Sequence, residues 1–96
     1  MSRDDYNIYI LYCADGSLYT GIACDVEGRL AEHSSGKRGA KYLRGRSPFK
    51  LVFQHAVGDR SAAQAVEYRV KQLTKSEKLD LIEGRRPLPE DVDGVD

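Results

Sequence analysis

The apolar positions along this chain fall into short runs whose period predicts the elements. Tyr6 to Cys13 is dense in β-branched and aromatic residues and predicts a strand. Asp15-Gly16 is a turn signal, and Leu18 to Ala23 predicts the returning strand of a β-hairpin. Asp25 is a good N-cap for a helix running to about Ser35, where Gly36 is a stop. Gly28 inside that helix costs roughly 1 kcal/mol relative to alanine. Residues 36–48 are glycine-rich and basic and predict a loop, with one short helical turn near Ala40–Leu43. Phe49, Leu51 and Phe53 alternate with Lys50, Val52 and Gln54, which predicts a third strand ending near Ala56. Ser61-x-x-Gln64 has the form of a capping box, and Ala62, Ala65, Val66, Arg69, Val70 and Leu73 follow at helical spacing. Thr74-x-x-Glu77 is a second such box and opens a last helix, with Leu79 and Ile82 toward the core and Gly84 at its end.

The order is thus β-β-α-β-α-α. Three strands cannot close a barrel, so helices must cover the sheet. The fold class is α+β, a small three-stranded antiparallel sheet flanked by helices. The divisions are a polar N-terminus (1–5), one folded domain (6–84) and an acidic tail (85–96) expected to be disordered.

Composition narrows the function classes. The chain has 96 residues, 41% of them hydrophobic and 31% charged, which suits one soluble domain with a thin core. No apolar run approaches the ~20 residues of a membrane span. No basic-then-apolar leader opens the chain, so a cytoplasmic protein, monomeric by default, is expected. Cys13 and Cys24 lie in apolar stretches outside any metal-binding spacing, and both read as small core residues in a reducing compartment.

Charge changes the picture more. Fifteen Lys and Arg balance fifteen Asp and Glu, yet the two signs are segregated. Residues 87–96 hold Glu90, Asp91, Asp93 and Asp96 and no base; the rest of the chain carries +4. Segment 29–50 carries +6, from Arg29, Lys37, Arg38, Lys41, Arg44, Arg46 and Lys50 against Glu32. A local basic field of this kind suits a polyanion.

Turn geometry decides whether two tyrosines share a face. A two-residue Asp15-Gly16 loop makes paired numbers sum to 31 and puts Tyr9 and Tyr19 on opposite faces. A three-residue Ala14-Asp15-Gly16 loop makes them sum to 30. It sets Tyr9 opposite Gly21 and Leu11 opposite Tyr19, and both phenols point the same way. Glycine at the third position is compatible with either.

Asn7-Ile8-Tyr9, Tyr19-Thr20-Gly21 ten residues later, Arg29 and His33 on the next helix, and then Glu67 resemble the GIY-YIG nuclease superfamily. The likeness is to its small stand-alone bacterial members and runs from about Tyr6 to Glu83. Its most specific stretch is Cys13 to Ile22. Asn7 stands where the first motif has glycine, and Thr20 where the second has isoleucine. Many larger members place an asparagine after the glutamate, whereas Asn7 is the only asparagine of this chain.

The resemblance implies a three-stranded sheet between helices and metal-dependent hydrolysis of nucleic-acid phosphodiesters, DNA above all, with a role in repair or processing. It carries catalytic roles to Tyr9, Tyr19, Arg29, His33 and Glu67. Glu67 would hold one divalent ion, Mg2+ or Mn2+, through a hard carboxylate oxygen. Arg29 would grip a phosphate oxygen, with His33 one turn away on the same face. A tyrosine would take or relay the proton of the attacking water, although a free phenol has a pKa of about 10 and is a poor base. Gly21, Lys37, Arg38, Lys41, Tyr42, Arg44 and Arg46 are the expected nucleic-acid contacts. Binding through the phosphate backbone carries little sequence information. The alternatives are a nucleic-acid-binding module with little cleavage and a partner for an acidic protein.

Overall fold

A computed structural model describes residues 5–35 and 48–89. The Gly36 stop, the helical turn near Ala40–Leu43 and the acidic residues 90–96 lie outside the described residues. The elements are β1 (Tyr6–Cys13), β2 (Leu18–Ala23), α1 (Val26–Ser35), β3 (Phe49–Gly58), α2 (Arg60–Lys71) and α3 (Lys75–Ile82). The strands form one antiparallel sheet in the order β2-β1-β3. The α+β class and the element order are as expected.

β1 is the middle strand and is covered on both faces. Ile8 and Ile10 pack on one side with Val66, Val70 and Leu81 from α2 and α3. Tyr9, Leu11 and Cys13 pack on the other with Val26 of α1. A strand buried on both sides needs apolar residues at successive positions, which is why Ile8 to Leu11 does not alternate. Each fully buried Ile or Leu removes enough apolar surface to contribute about 1.5–3 kcal/mol.

The hairpin takes the three-residue loop. The Gly16 N–H donates to the Cys13 carbonyl and the Cys13 N–H to the Ser17 carbonyl, both at 2.9 Å. Gly16 has φ +87°, a left-handed conformation that glycine adopts without a Cβ clash. Tyr9 therefore pairs with Gly21, and Leu11 with Tyr19.

Several details depart from the sequence pattern. β3 runs to Gly58 and not to Ala56, and it carries an irregularity. Pairing steps from Leu11–Leu51 to Ile10–Phe53, leaving Val52 as an extra residue. Such a bulge reverses the faces beyond it, so Phe49 packs on the Tyr9 side and Phe53 on the Ile10 side. Leu51, on the same strand, is 37% exposed.

Helix α2 begins at Arg60, capped by Asp59 and not by Ser61; Asp59 Oδ1 accepts from the Ala62 N–H at 2.8 Å. A carboxylate there meets both the orphan N–H groups and the positive end of the helix dipole. Its buried stripe is Ala63, Val66 and Val70, with Ala62 exposed.

On α3 the buried residue is Leu81; Ile82 packs against the cluster, but Leu79 is exposed. The Thr74–Glu77 capping box forms as expected. At the other end, Gly84 N–H donates to Leu81 O and Arg85 N–H to Asp80 O, which satisfies the last carbonyls. Leu88 packs against the same cluster, so the chain keeps contact with the domain several residues past α3. Finally, Cys13 is buried but Cys24 lies at the surface and is not a core residue.

Candidate active site

The hairpin register brings the two phenols together. Tyr9 and Tyr19 stand on one face with ring centroids 6.4 Å apart. Tyr9 lies across Gly21, its partner on β2. A Cβ at Gly21 would sit 2.6 Å from the Tyr9 hydroxyl oxygen and 3.2 Å from Tyr19 Cε2. Any side chain there would drive Tyr9 out of its place.

Helix α1 covers this face. Asp25 caps it, with Oδ1 accepting from the Gly28 N–H at 3.1 Å. The cap fixes the phase that turns Arg29 and His33, one turn apart, toward the phenols. His33 is buried, and its Nε2 is 3.0 Å from the Tyr9 hydroxyl. Tyr19 meets its ring edge-on at 5.7 Å and Phe49 at 6.4 Å. Arg29 is ion-paired with Glu32 at 2.8 Å and lies close enough to Tyr9 to act on its phenol. A cavity of about 190 Å³ opens beside Arg29 and Glu32, bounded by Ala23, Asp25 and Gly28.

Glu67 comes from α2, on the other face of the sheet. It flanks the buried stripe and is about one-fifth exposed, with Lys71 Nζ 3.1 Å from its Oε2. Its charge is nonetheless felt by both phenols. α2 packs against β2, an edge strand of the described sheet and the strand that carries Tyr19.

The electrostatics follow from burial. Burial, then the neighbouring Tyr19, pushes the Tyr9 phenol up to about 12, against the pull of Arg29. Burial also raises Tyr19, which Lys71 and Arg29 pull down. Burial and then the Arg29 charge hold His33 below the usual imidazole range. His33 is therefore neutral at pH 7, and in its Nδ1–H tautomer the Nε2 accepts the Tyr9 O–H.

Tyr9, Tyr19, Arg29 and His33 thus gather in one place, with Glu67 near enough for its charge to act on both phenols. Gly21 provides the clearance they need. Lys37, Arg38, Lys41, Tyr42, Arg44 and Arg46 lie outside the described residues. Among the described residues no group of three or more His, Cys, Asp or Glu side chains could hold a metal. Three participants escaped the sequence reading. The direct His33–Tyr9 bond depends on a long-range packing distance. Phe49 meets His33 across a separation in sequence that no local pattern marks. Lys71 stands four residues after Glu67, a spacing that could have signalled the ion pair.

Residues 5–80 match the family described as the GIY-YIG catalytic domain. A UPF0213 protein of Yersinia pestis is 52% identical over 82 residues, 85% of each chain, and one from Yersinia pseudotuberculosis matches equally. The solution NMR structure of the UPF0213 protein from Bacillus halodurans is 46% identical, covers 84% of this chain and 85% of its own, and superposes with a TM-score of 0.55. That of an E. faecalis protein is 35% identical over 83% and 84%, with a TM-score of 0.60. No helix among the described residues is long and apolar enough to cross a membrane.

Proposed function

This chain belongs to the family of GIY-YIG catalytic domains, a nuclease superfamily, and on that footing we propose that it hydrolyses phosphodiester bonds of DNA with a divalent ion. The observation that carries the reading is the Tyr9–His33 hydrogen bond, made where Arg29 and Glu67 also act on the phenols. A phenol held near 12 cannot serve by ionising first. The bond to a neutral imidazole offers another route. As an attacking water gives a proton to the Tyr9 oxygen, the Tyr9 proton passes to His33 Nε2. The hydroxide adds to phosphorus, the bond to the leaving oxygen breaks, and that oxygen takes a proton from solvent. Arg29 holds a non-bridging oxygen with its planar fork.

Glu67 is the carboxylate, among the described residues, whose charge acts on both phenols. A single hard oxygen fits Mg2+ or Mn2+, which keep several waters and bind substrate phosphate directly. When bound, such an ion would neutralise charge on the scissile phosphate. The expected setting is a cytoplasmic monomer acting in DNA repair or processing, selecting its substrate by backbone and shape.

The test is cleavage of labelled branched, single-stranded and duplex DNA with Mg2+, Mn2+ or EDTA. Wild type should cut in either metal and not in EDTA. Tyr9→Phe and Glu67→Ala should each lose on the order of 100-fold or more in rate while still binding. Equal cutting by Glu67→Ala removes the metal role. Binding without cutting by wild type favours the binding-module alternative.

A further inference from the structure

We propose that Lys75 and Lys78 form a second phosphate-binding ridge, on the flank supplied by α2 and α3, that grips the nucleic-acid strand across β2 from the tyrosine pair. The proposal rests on the nuclease reading above and extends it to residues outside the motif.

Lys75 and Lys78 converge on the start of β2, and Lys71 stands on the adjoining helix α2. Lys71, half exposed, holds Glu67 at 3.1 Å and lies close enough to influence Tyr19. The Thr74 cap starts α3 so that Lys75 and Lys78, one turn apart, share a face. Lys75 Nζ donates to the Gly16 carbonyl at 2.8 Å. Both line a cavity of about 310 Å³ whose other walls are Asp15 to Leu18. Leu18 packs with the α2–α3 cluster, so the cavity lies on the opposite face of the sheet from Tyr19, separated from it by the edge strand β2.

Glu67 already balances Lys71, so Lys75 and Lys78 are the cations that this flank offers to a polyanion. Lys75 puts a cation at the positive end of the α3 dipole. Lys78 is neighboured by Lys71, and the two like charges oppose each other. The one carboxylate lining the cavity, Asp15, already accepts from the Ser17 N–H and hydroxyl through Oδ1. A polyanion laid along the ridge relieves both repulsions. A phosphodiester backbone is the polyanion that the neighbouring site calls for.

The experiment measures binding of a short labelled single-stranded DNA by fluorescence anisotropy in EDTA over a series of salt concentrations. The proteins are wild type, Lys75→Gln/Lys78→Gln and Lys75→Arg/Lys78→Arg, each checked for folding by thermal melting. The glutamine pair should bind roughly tenfold more weakly at low salt, with a slope of log K against log salt shallower by about 1–2. The arginine pair should bind like wild type. Unchanged binding and slope in the glutamine pair overturn the ridge and leave the nuclease reading standing. So does an equal loss in the arginine pair. A wild-type chain that binds no DNA overturns both.

Discussion

At the residue scale the site depends on an absence. Gly21 has no side chain, and Tyr9 fills that space. A Cβ 2.6 Å from the hydroxyl oxygen would push the ring away from His33 and break the 3.0 Å bond. Gly21→Ala should therefore leave a folded protein whose cleavage rate drops about 100-fold, the scale of a 1 Å misplacement of a reacting group. Cleavage assays paired with the near-ultraviolet tyrosine spectrum check this, and wild-type rates would refute the clearance argument. Thr20, next in line, shows the other face of the same strand. Its hydroxyl is buried opposite Ile10 and has no hydrogen-bond partner among the described residues. At the homologous place in the motif stands isoleucine, and packing here is apolar.

At the element scale, local chemistry was legible and long-range adjustment was not. The limits of β1 and β2 and the Thr74–Glu77 box follow from residue types within a few positions, and the structure has them as expected. Both hairpin registers are open in the sequence, and the structure takes the three-residue loop, which puts Tyr19 on the face of Tyr9, Leu11 and Cys13. The β3 bulge was invisible, because Phe49, Leu51 and Phe53 alternate in sequence whatever their pairing. The start of α2 was misplaced because two capping residues compete, Asp59 and Ser61. Their contest is measurable. Asp59→Ala should lower stability by about 1 kcal/mol in urea unfolding, and Ser61→Ala should stay within about 0.5 kcal/mol. The opposite ranking would return the cap to Ser61.

At the scale of the whole molecule, the proposed catalytic set draws on helices from both sides of the sheet. α1 brings Arg29 and His33 to the tyrosine face, and α2, packed on the other, carries Glu67, whose charge acts on both phenols. The motif residues could be named in the sequence, but their meeting depends on which helix covers which face. That closure buries the phenols, and the burial leaves a mark on global stability. Tyr9 titrates near 10 when unfolded and is pushed up to about 12 when folded. Between those values the unfolded chain has released the proton and the folded chain has kept it. Stability is full below pH 10 and falls as pH rises toward 12, by on the order of 2 kcal/mol from this group. Tyr19 is raised as well and acts in the same direction. Tyr9→Phe has no such proton, so its urea midpoint should decline less than that of wild type between pH 9 and 11. Parallel declines would mean that Tyr9 ionises as freely in the fold as outside it. The enclosed relay to His33 would then lose its physical basis.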